Sequence, residues 1–519
     1  MRGDFRYDAP LVNTAALRTL MIYAVILPLA VFIGWLVSGD MTQTSFGMLA
    51  GIIFVLLMPL LLKWHYPVMV FSWSTFITIF FLPGQPALWM VMAGLNFGIA
   101  ILNRIMSKRQ AFLPAPSITM ALVALVAVVF ITAQLTGGMG MRILGGSGSQ
   151  GGKAYYFIFA AVIGYFALAS QPIRPDQAKF YMTLFFLPGI IAAGSNLIYF
   201  AGPAFYFLFL IVPVGFAAVQ AASDSMGSIS RLGGFASAAT AAGVYLLAIS
   251  GVRELLTRWW KLLLFLLLMG LGAMGGYRST ILSMGLLFLI LFFLERLHRT
   301  PLLPTFALAG ALAFCLMLPF TEQLPRSIQR TLSFLPIKVD PNVLAEAQGS
   351  WEWRVHMWEA LLPDLPKYFW LGKGYSMNPT DLYLTQQAMR YGRSPDYAND
   401  LIVGNYHSGP LSIYIPFGVF GTITFVAFLG LALRALYRNY RYGRDELKFY
   451  NRFLFGYFLS RTIFFMVAFG SFHSELYIFT GIMGLSVALN HGVCRQPVLV
   501  QRPVVFRGRM EFAARSKAA

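Results

Sequence analysis

The residue of this sequence best suited to proton transfer is His407. It stands in the segment NYHSGPLSIYIPFGVFG, directly before an apolar run. An imidazole with an unperturbed pKa of about 6.5 accepts a proton readily at neutral pH, so His407 is a candidate general base. The alternative role is that of an interfacial histidine that only caps the helix after it.

Arginines at the ends of apolar runs are candidate anion-binding groups. Arg278, in GAMGGYRSTIL, lies between two such runs and has no acidic residue close to it in sequence. An arginine at the membrane edge is costly without a partner, and an anionic ligand is one possible partner. Snorkelling to lipid headgroups is the alternative. Arg231, in SRLGGFASAATAAG, also lies at the end of an apolar run and is a weaker candidate for anion binding.

A further arginine, Arg354, belongs to the segment WEWRVHMWEALL, where apolar side chains recur at helical spacing up to Pro363. The spacing predicts a short amphipathic helix over residues 351–362 at the membrane interface, a depth at which tryptophan is enriched. Arg354 comes three residues after Trp351 and four before Trp358, which puts it on the edge of the aromatic face. From there it could meet a lipid-borne anion.

The elements that must position these residues are membrane-spanning helices. Hydrophobic residues make up 58% of the chain and charged residues 11%, which is too apolar for a soluble protein. Fifteen apolar runs are candidates to span a bilayer. We predict an all-α polytopic membrane protein with about 14 transmembrane helices, since an even number returns both termini to one side. A break is expected within residues 180–222, at Pro188, Gly189, Gly202 or Pro203.

The distribution of charge predicts the topology. The net charge is +19, but residues 321–408 hold eight Lys or Arg against nine Asp or Glu, so the basic excess flanks the apolar runs. Short basic loops stay in the cytoplasm. The termini are therefore predicted inside and the 321–408 loop outside, and nucleic-acid binding is disfavoured.

Four motifs, taken in their order along the chain, carry a family resemblance. GGYRST, WEWRVHMWEALL, LGKGY and NYHSGPLSIYIPFGVFG resemble the O-antigen ligase and Wzy-type polymerase superfamily of bacterial envelope glycosyltransferases. That family has an arginine at the outer end of a helix, a second arginine before a Gly-x-Gly segment, and a histidine before a helix with a Gly-x-x-Gly turn. The matching positions here are Arg278, Arg354, Gly372, Gly374, His407, Gly418 and Gly421. The chain departs from the family at Ser408, where asparagine is frequent.

The resemblance implies an enzyme of the bacterial inner membrane whose active site faces the periplasm. It would move a glycan from a polyprenyl-diphosphate carrier, such as undecaprenyl diphosphate, to an acceptor hydroxyl. The acceptor would be the lipid A core of lipopolysaccharide for a ligase, or a second lipid-linked glycan for a surface-polysaccharide polymerase. The sequence does not choose between them.

Each candidate residue has a role in that reaction. Arg278 and Arg354 would stabilise the departing diphosphate through charge-assisted hydrogen bonds, and His407 would deprotonate the acceptor. One base suffices for a single inverting displacement, whereas retention usually needs a carboxylate nucleophile. Arg231, with Lys373 and Tyr406 from the matching motifs, is a candidate for substrate binding.

The apolar runs and the long polar gap between them divide the chain into four regions. They are N-terminal transmembrane helices at 1–320, a partly helical periplasmic loop carrying part of the active site at 321–408, C-terminal transmembrane helices at 409–490 and a basic cytoplasmic tail at 491–519. The glycine-rich stretch 137–153 is predicted to be a flexible loop.

The sequence predicts no metal site and no cofactor, because it contains no Asp-x-Asp or Glu-x-Glu pair. Asp396 and Asp400 could bind sugar hydroxyls, or could lie on a solvated loop face. The competing function is a transporter or flippase of the same lipid-linked oligosaccharide. Transporters tend to carry ionisable groups at mid-membrane between repeated halves, and no half-repeat is evident here.

Overall fold

The computed structural model describes residues 14–38, 43–80, 82, 84–106, 115–137, 152–225 and 231–495. Most of the predicted glycine-rich loop and of the predicted basic tail lies outside these residues. Two compact units, 1–68 and 69–519, are distinguished. The first holds α1 (Thr14–Ser38) and most of α2 (Gln43–Ser72).

The second unit is also built from helices, because a backbone in lipid must satisfy its own hydrogen bonds. Those before residue 321 are α3 (Leu88–Met106), α4 (Pro116–Thr136), α5 (Gly152–Leu168), α6 (Ala178–Phe186), α7 (Ala193–Ala201), α8 (Gly215–Ser225), α9 (Gly233–Thr257), α10 (Trp259–Ala273), α11 (Arg278–Leu294) and α12 (Leu302–Met317). The large loop, residues 321–408, contains α13 (Arg326–Leu332), α14 (Pro341–Leu361), α15 (Pro379–Arg390) and α16 (Ala398–Val403). After it come α17 (Gly409–Tyr442), α18 (Lys448–Val467) and α19 (Phe472–Asn490).

Seven helical segments among the described residues are long and apolar enough to cross a membrane. They are Leu88–Met106, Pro116–Thr136, Pro175–Ala201, Gly233–Thr257, Leu302–Gln323, Gly409–Tyr442 and Phe472–Asn490. Shorter apolar helices, α5, α10 and α11 among them, accompany these. The chain is an all-α polytopic membrane protein, which confirms the predicted fold class, while the count of 14 helices stays a prediction.

The core of the second unit lies where α19 packs against α5 and α17 packs against α4 and α18. Its small residues allow close approach, as at Gly481, where an added Cβ would collide with the Trp73 ring. Aromatic rings fill the remaining space, with Phe425 packed against Phe465 and Phe472. This packing holds the ends of α17 and α19 beside the large loop.

The expected break within residues 180–222 has a clear backbone form. A 3₁₀ segment begins at Leu187, directly before Pro188, and separates α6 from α7. Gly202 has a φ of +90° and ends α7, and a second 3₁₀ segment follows it. Proline lacks the amide that an α-helix needs, and glycine tolerates positive φ without strain.

The helix that carries Arg354 is longer than predicted. The sequence predicted a helix over 351–362, whereas α14 begins ten residues earlier. Asp340 caps it by accepting a hydrogen bond from the Asn342 amide, and Pro341 occupies the first turn, where no amide partner is required. The added turns carry Glu346 and Ala347 towards the start of α11, where Arg278 lies.

Candidate active site

Arg278 is the first residue of α11 and is held by the large loop. A tight turn at Gly276, with a φ of +68°, precedes it. Its Nη2 donates a hydrogen bond to the carbonyl oxygen of Ala347 in α14 at 2.7 Å. The guanidinium is therefore anchored at one nitrogen by a neutral backbone group.

The residue next to Ala347, Glu346, joins two further arginines. Its Oε1 lies 3.0 Å from Nη2 of Arg231 and 3.2 Å from Nε of Arg330. The first contact is a hydrogen bond, whereas the second is an ion pair too poorly aligned to be one. Nη1 of Arg330 also donates to the carbonyl oxygen of Gly276 at 3.0 Å. Sequence analysis identified Arg231 but missed both Arg330 and Glu346.

Positive charge exceeds negative charge at this locus. The side chain of Arg330 is only 8% exposed, and burial, followed by the nearby charge of Arg231, lowers its pKa. Burial and the charge of Arg278 lower the pKa of Arg354 in the same way. Glu346 balances only one of these four guanidiniums. An anion is the ligand that such a cluster favours.

Arg354 and His407 meet at one aromatic ring, that of Phe469, which lies between α18 and α19. The Cζ atom of Arg354 is 5.9 Å from the centre of this ring, and the imidazole centre is 5.5 Å from it. Trp353, on α14, packs against the imidazole in a T-shaped arrangement, with the ring centres 5.2 Å apart. No ion-pair partner of Arg354 occurs in the described part of the chain. The predicted general base, His407, and an arginine predicted to bind the diphosphate, Arg354, are thus neighbours.

A polar contact orients the His407 ring. Asn405 Nδ2 lies 3.0 Å from both Asp400 Oδ1 and His407 Nε2. The contact to Asn405 holds the ring at Nε2, while Nδ1 has no hydrogen-bond partner in the described residues. Asp400 Oδ1 is itself 3.9 Å from Nε2. Asn405 and Asp400 therefore orient the ring, a role that sequence analysis did not give them.

Lys373 and Tyr406, the other predicted substrate-binding residues, contact each other. The Lys373 Nζ lies 5.6 Å from the Tyr406 ring centre and donates to the carbonyl oxygen of Leu401 at 3.1 Å. Tyr406 is 1% exposed, its carbonyl oxygen accepts a hydrogen bond from Trp358 Nε1, and burial raises its pKa. Burial lowers the pKa of Lys373. These contacts stabilise the turn before His407, and a role in substrate binding stays a prediction.

The LGKGY segment docks into a break in α17. Gly418 has a φ of +61° and interrupts the helix two residues after Pro416. The carbonyl oxygens of Ile415 and Pro416 accept hydrogen bonds from the amides of Lys373 and Gly374 at 2.8 and 3.0 Å. The break thus exchanges helical hydrogen bonds for bonds to the large loop. This contact fixes the large loop on α17, whose first residue follows His407 by two.

Gly372 should be the most substitution-sensitive residue of this junction. It has a φ of +72°, and an added Cβ would collide with the Pro416 carbonyl group. Backbone strain of about 1–2 kcal/mol and overpacking of about 1–3 kcal/mol should both destabilise Gly372→Ala. Gly392→Ala is the matched control, because Gly392 has a φ of +64° but open space around its Cβ position. Thermal denaturation in detergent should show the larger loss for Gly372→Ala, and equal losses would contradict this docking.

Comparison with known families identifies the region that contains these residues. Residues 262–426 match the family model Wzy_C, described as O-antigen ligase. The chain carries an O-antigen ligase domain. This confirms the predicted resemblance to the O-antigen ligase and Wzy-type superfamily. No curated protein matches the chain.

The O-antigen ligase domain includes much of the site described above. Arg278, Arg330, Arg354 and His407 fall within the matched residues, as does the break in α17, whereas Arg231 precedes them. The presence of this domain indicates a membrane enzyme that transfers glycans. No group of three or more His, Cys, Asp or Glu side chains able to hold a metal ion occurs in the portion of the chain that the structure describes.

Proposed function

We propose that the protein transfers a glycan from a polyprenyl-diphosphate carrier to an acceptor hydroxyl. The observation that carries this proposal is the convergence of Arg278, Arg330 and Arg354 with His407, through the start of α11, α14 and the Phe469 ring. A transferase of this kind needs a cationic site for the leaving group beside a base for the nucleophile. The O-antigen ligase domain supports the same class of reaction.

The arginines would stabilise the leaving diphosphate. Breaking the bond between the sugar anomeric carbon and the diphosphate oxygen leaves the bonding electrons, and so an added negative charge, on that oxygen. Arg354, which has no ion-pair partner in the described residues, and Arg278, which is anchored at Nη2, are placed to donate to it. Planar guanidiniums bind two oxygens at once, so they suit a diphosphate better than lysine does.

His407 would activate the acceptor. The imidazole takes the proton of the acceptor hydroxyl as the acceptor oxygen bonds to the anomeric carbon and the diphosphate leaves. The Asp400 carboxylate, whose Oδ1 is 3.9 Å from Nε2, would stabilise the charge of the imidazolium that forms. A single displacement of this kind inverts the anomeric configuration and needs no carboxylate nucleophile.

The proposal also covers the side of the membrane, the need for metal and the acceptor. Basic residues flanking the apolar runs support a topology in which the large loop lies on the periplasmic side of a bacterial inner membrane. Because the arginines would supply the positive charge that a divalent cation supplies elsewhere, we propose a reaction that is independent of metal. The acceptor is either a lipid A core or a second lipid-linked glycan.

Glycan transfer by the purified wild-type protein tests this function. The protein in detergent is mixed with lipid-linked oligosaccharide and with each acceptor in turn, in the presence of EDTA. We expect a new glycosidic bond, detected by mass spectrometry, with release of polyprenyl diphosphate. A folded protein that forms no bond with any acceptor, but moves the lipid-linked oligosaccharide across a proteoliposome membrane, would be a flippase instead.

A further inference from the structure

A half-open cavity of about 400 Å³ lies within the second unit, lined mainly by α9, α11, α18 and α19, with α6 and residues 73–76 completing its wall. It has the size of a small-ligand pocket, for which volumes of about 300–1,000 Å³ are usual. None of the residues assigned above to diphosphate binding or proton transfer lines it. Its ligand is therefore a separate question from the chemistry of the arginines.

The cavity adjoins the candidate active site. The Phe469 ring, which contacts both His407 and Arg354, forms part of its wall. Tyr277 and Ser279, the residues on either side of Arg278, also line it. A ligand held by its diphosphate at the arginines could therefore extend an adjoining group into this space.

The cavity wall contains a largely buried ion pair. The Arg461 guanidinium on α18 contacts both carboxylate oxygens of Glu475 on α19, and both residues line the cavity. Because the two charges neutralise each other, the pair does not attract a second anion. Both side chains line the cavity and stay partly exposed, so the pair presents polar surface without a net charge.

The rest of the wall combines aromatic rings with hydroxyl groups. Trp73 is 2% exposed and its ring forms part of the cavity wall. Hydroxyls come from α9 and α11, with Ser237 and Thr240 on the first and Thr280 on the second. The Thr240 hydroxyl already donates to the Ala236 carbonyl oxygen but can still accept a hydrogen bond. A fully apolar chain would cover the hydroxyl groups without offering them hydrogen bonds, which is costly in a buried site.

We infer that the cavity binds an uncharged sugar ring of the lipid-linked glycan, the ring adjoining the diphosphate. A sugar presents both hydroxyls and an apolar face, which match the ion pair, the hydroxyls and the aromatic rings of this wall. An isoprenyl chain suits this wall poorly, because the chain would desolvate the polar groups without forming hydrogen bonds to them. This inference rests on the proposed function, since it uses the diphosphate at the arginines to place the sugar.

Two ligands that differ only in the glycan test the sugar site. Binding of polyprenyl diphosphate and of lipid-linked glycan purified from the native host is measured by thermophoresis for wild type and Ser237→Leu, which fills the cavity. We expect Ser237→Leu to weaken glycan-lipid binding at least about tenfold, the effect of losing one or two hydrogen bonds, and to leave polyprenyl diphosphate binding within about twofold. Ala427→Leu, on an exposed face of α17, is the matched control and should change neither.

A second variant removes polarity without filling the cavity. Replacing Arg461 and Glu475 together by methionine leaves no unpaired charge, so the fold should survive, and the same selective loss is expected. Equal weakening of both ligands in both variants would mean that the cavity holds the isoprenyl chain, and unchanged binding would mean that it holds no part of the donor. Either result overturns the sugar site.

The transfer assay reports on the proposed function independently of this site. If wild type binds the glycan-lipid more tightly than polyprenyl diphosphate, and Ser237→Leu abolishes that preference, the sugar site stands even where no transfer is detected. If transfer proceeds while Ser237→Leu and the Arg461/Glu475 variant keep the wild-type preference, the proposed function stands and the sugar site is wrong.

Discussion

Replacing His407 by asparagine is expected to lower the rate of glycan transfer by about 10²–10⁴-fold, the usual contribution of a general base. Asparagine keeps a polar side chain but cannot accept the acceptor's proton. It also tolerates the backbone of this position, because His407 has a φ of +49° and asparagine is one of the few residues that adopt positive φ readily. The fold around the turn should therefore survive.

Initial rates at varied donor concentration measure this effect. The loss should fall on kcat, with KM for the donor little changed, since the base acts on the acceptor and not on the diphosphate. His407→Ala should lose as much activity and also some thermal stability, because alanine is strained at positive φ.

His356→Asn is the matched control, since His356 is exposed on α14. Transfer by His407→Asn at a rate near that of wild type would show that His407 only caps α17. Loss of activity in His356→Asn to the same extent would show that the assay reports damage to the large loop and not proton transfer.

Residues placed by local pattern could be predicted from the sequence. Apolar runs fix which segments become helices, so the position of Arg278 at the end of a helix follows from its neighbours in the chain. The break at Gly202 followed from proline and glycine chemistry in the same way. These are properties of consecutive residues, and one sequence contains them in full.

Contacts between distant residues could not be predicted. Glu346 meets Arg231 across 115 positions of the chain, and a single sequence holds no record of which side chains meet over such a distance. Arg330 resembled an ordinary charge of a polar loop, although folding buries it against Gly276. The start of α14 was missed because its capping residues, Asp340 and Pro341, precede the aromatic pattern that indicated the helix.

Replacing Arg354 by alanine is expected to reduce kcat/KM for the lipid-linked donor by about 10²–10³-fold. This is the loss seen when one donor to a developing oxyanion is removed from an enclosed site. Arg354 is the clearest test of the diphosphate site, because it has no ion-pair partner in the described residues whereas Arg231 and Arg330 share Glu346. Arg354→Lys should recover part of the rate, since lysine keeps the charge but loses the two-point hydrogen bonding.

Arg278→Ala should give a loss of similar size together with a lower thermal stability. Its guanidinium also donates to the Ala347 carbonyl group, so alanine removes a contact that holds α14 on α11. The comparison separates the two roles, because Arg354→Ala should lose activity with little change in the midpoint of thermal denaturation. Arg390→Ala, an exposed arginine at the end of α15, is the control for a lost positive charge on the same loop.

Inhibition by inorganic pyrophosphate distinguishes a diphosphate site from a merely structural arginine cluster. Pyrophosphate should inhibit wild type competitively with the donor, and should inhibit Arg354→Ala and Arg278→Ala more weakly, because each variant lacks one of the groups that bind it. If both variants lose transfer but remain as sensitive to pyrophosphate as wild type, the arginines position the large loop and the diphosphate binds elsewhere. If Arg390→Ala also loses sensitivity, the anion is held by the general charge of the loop and not by these two side chains.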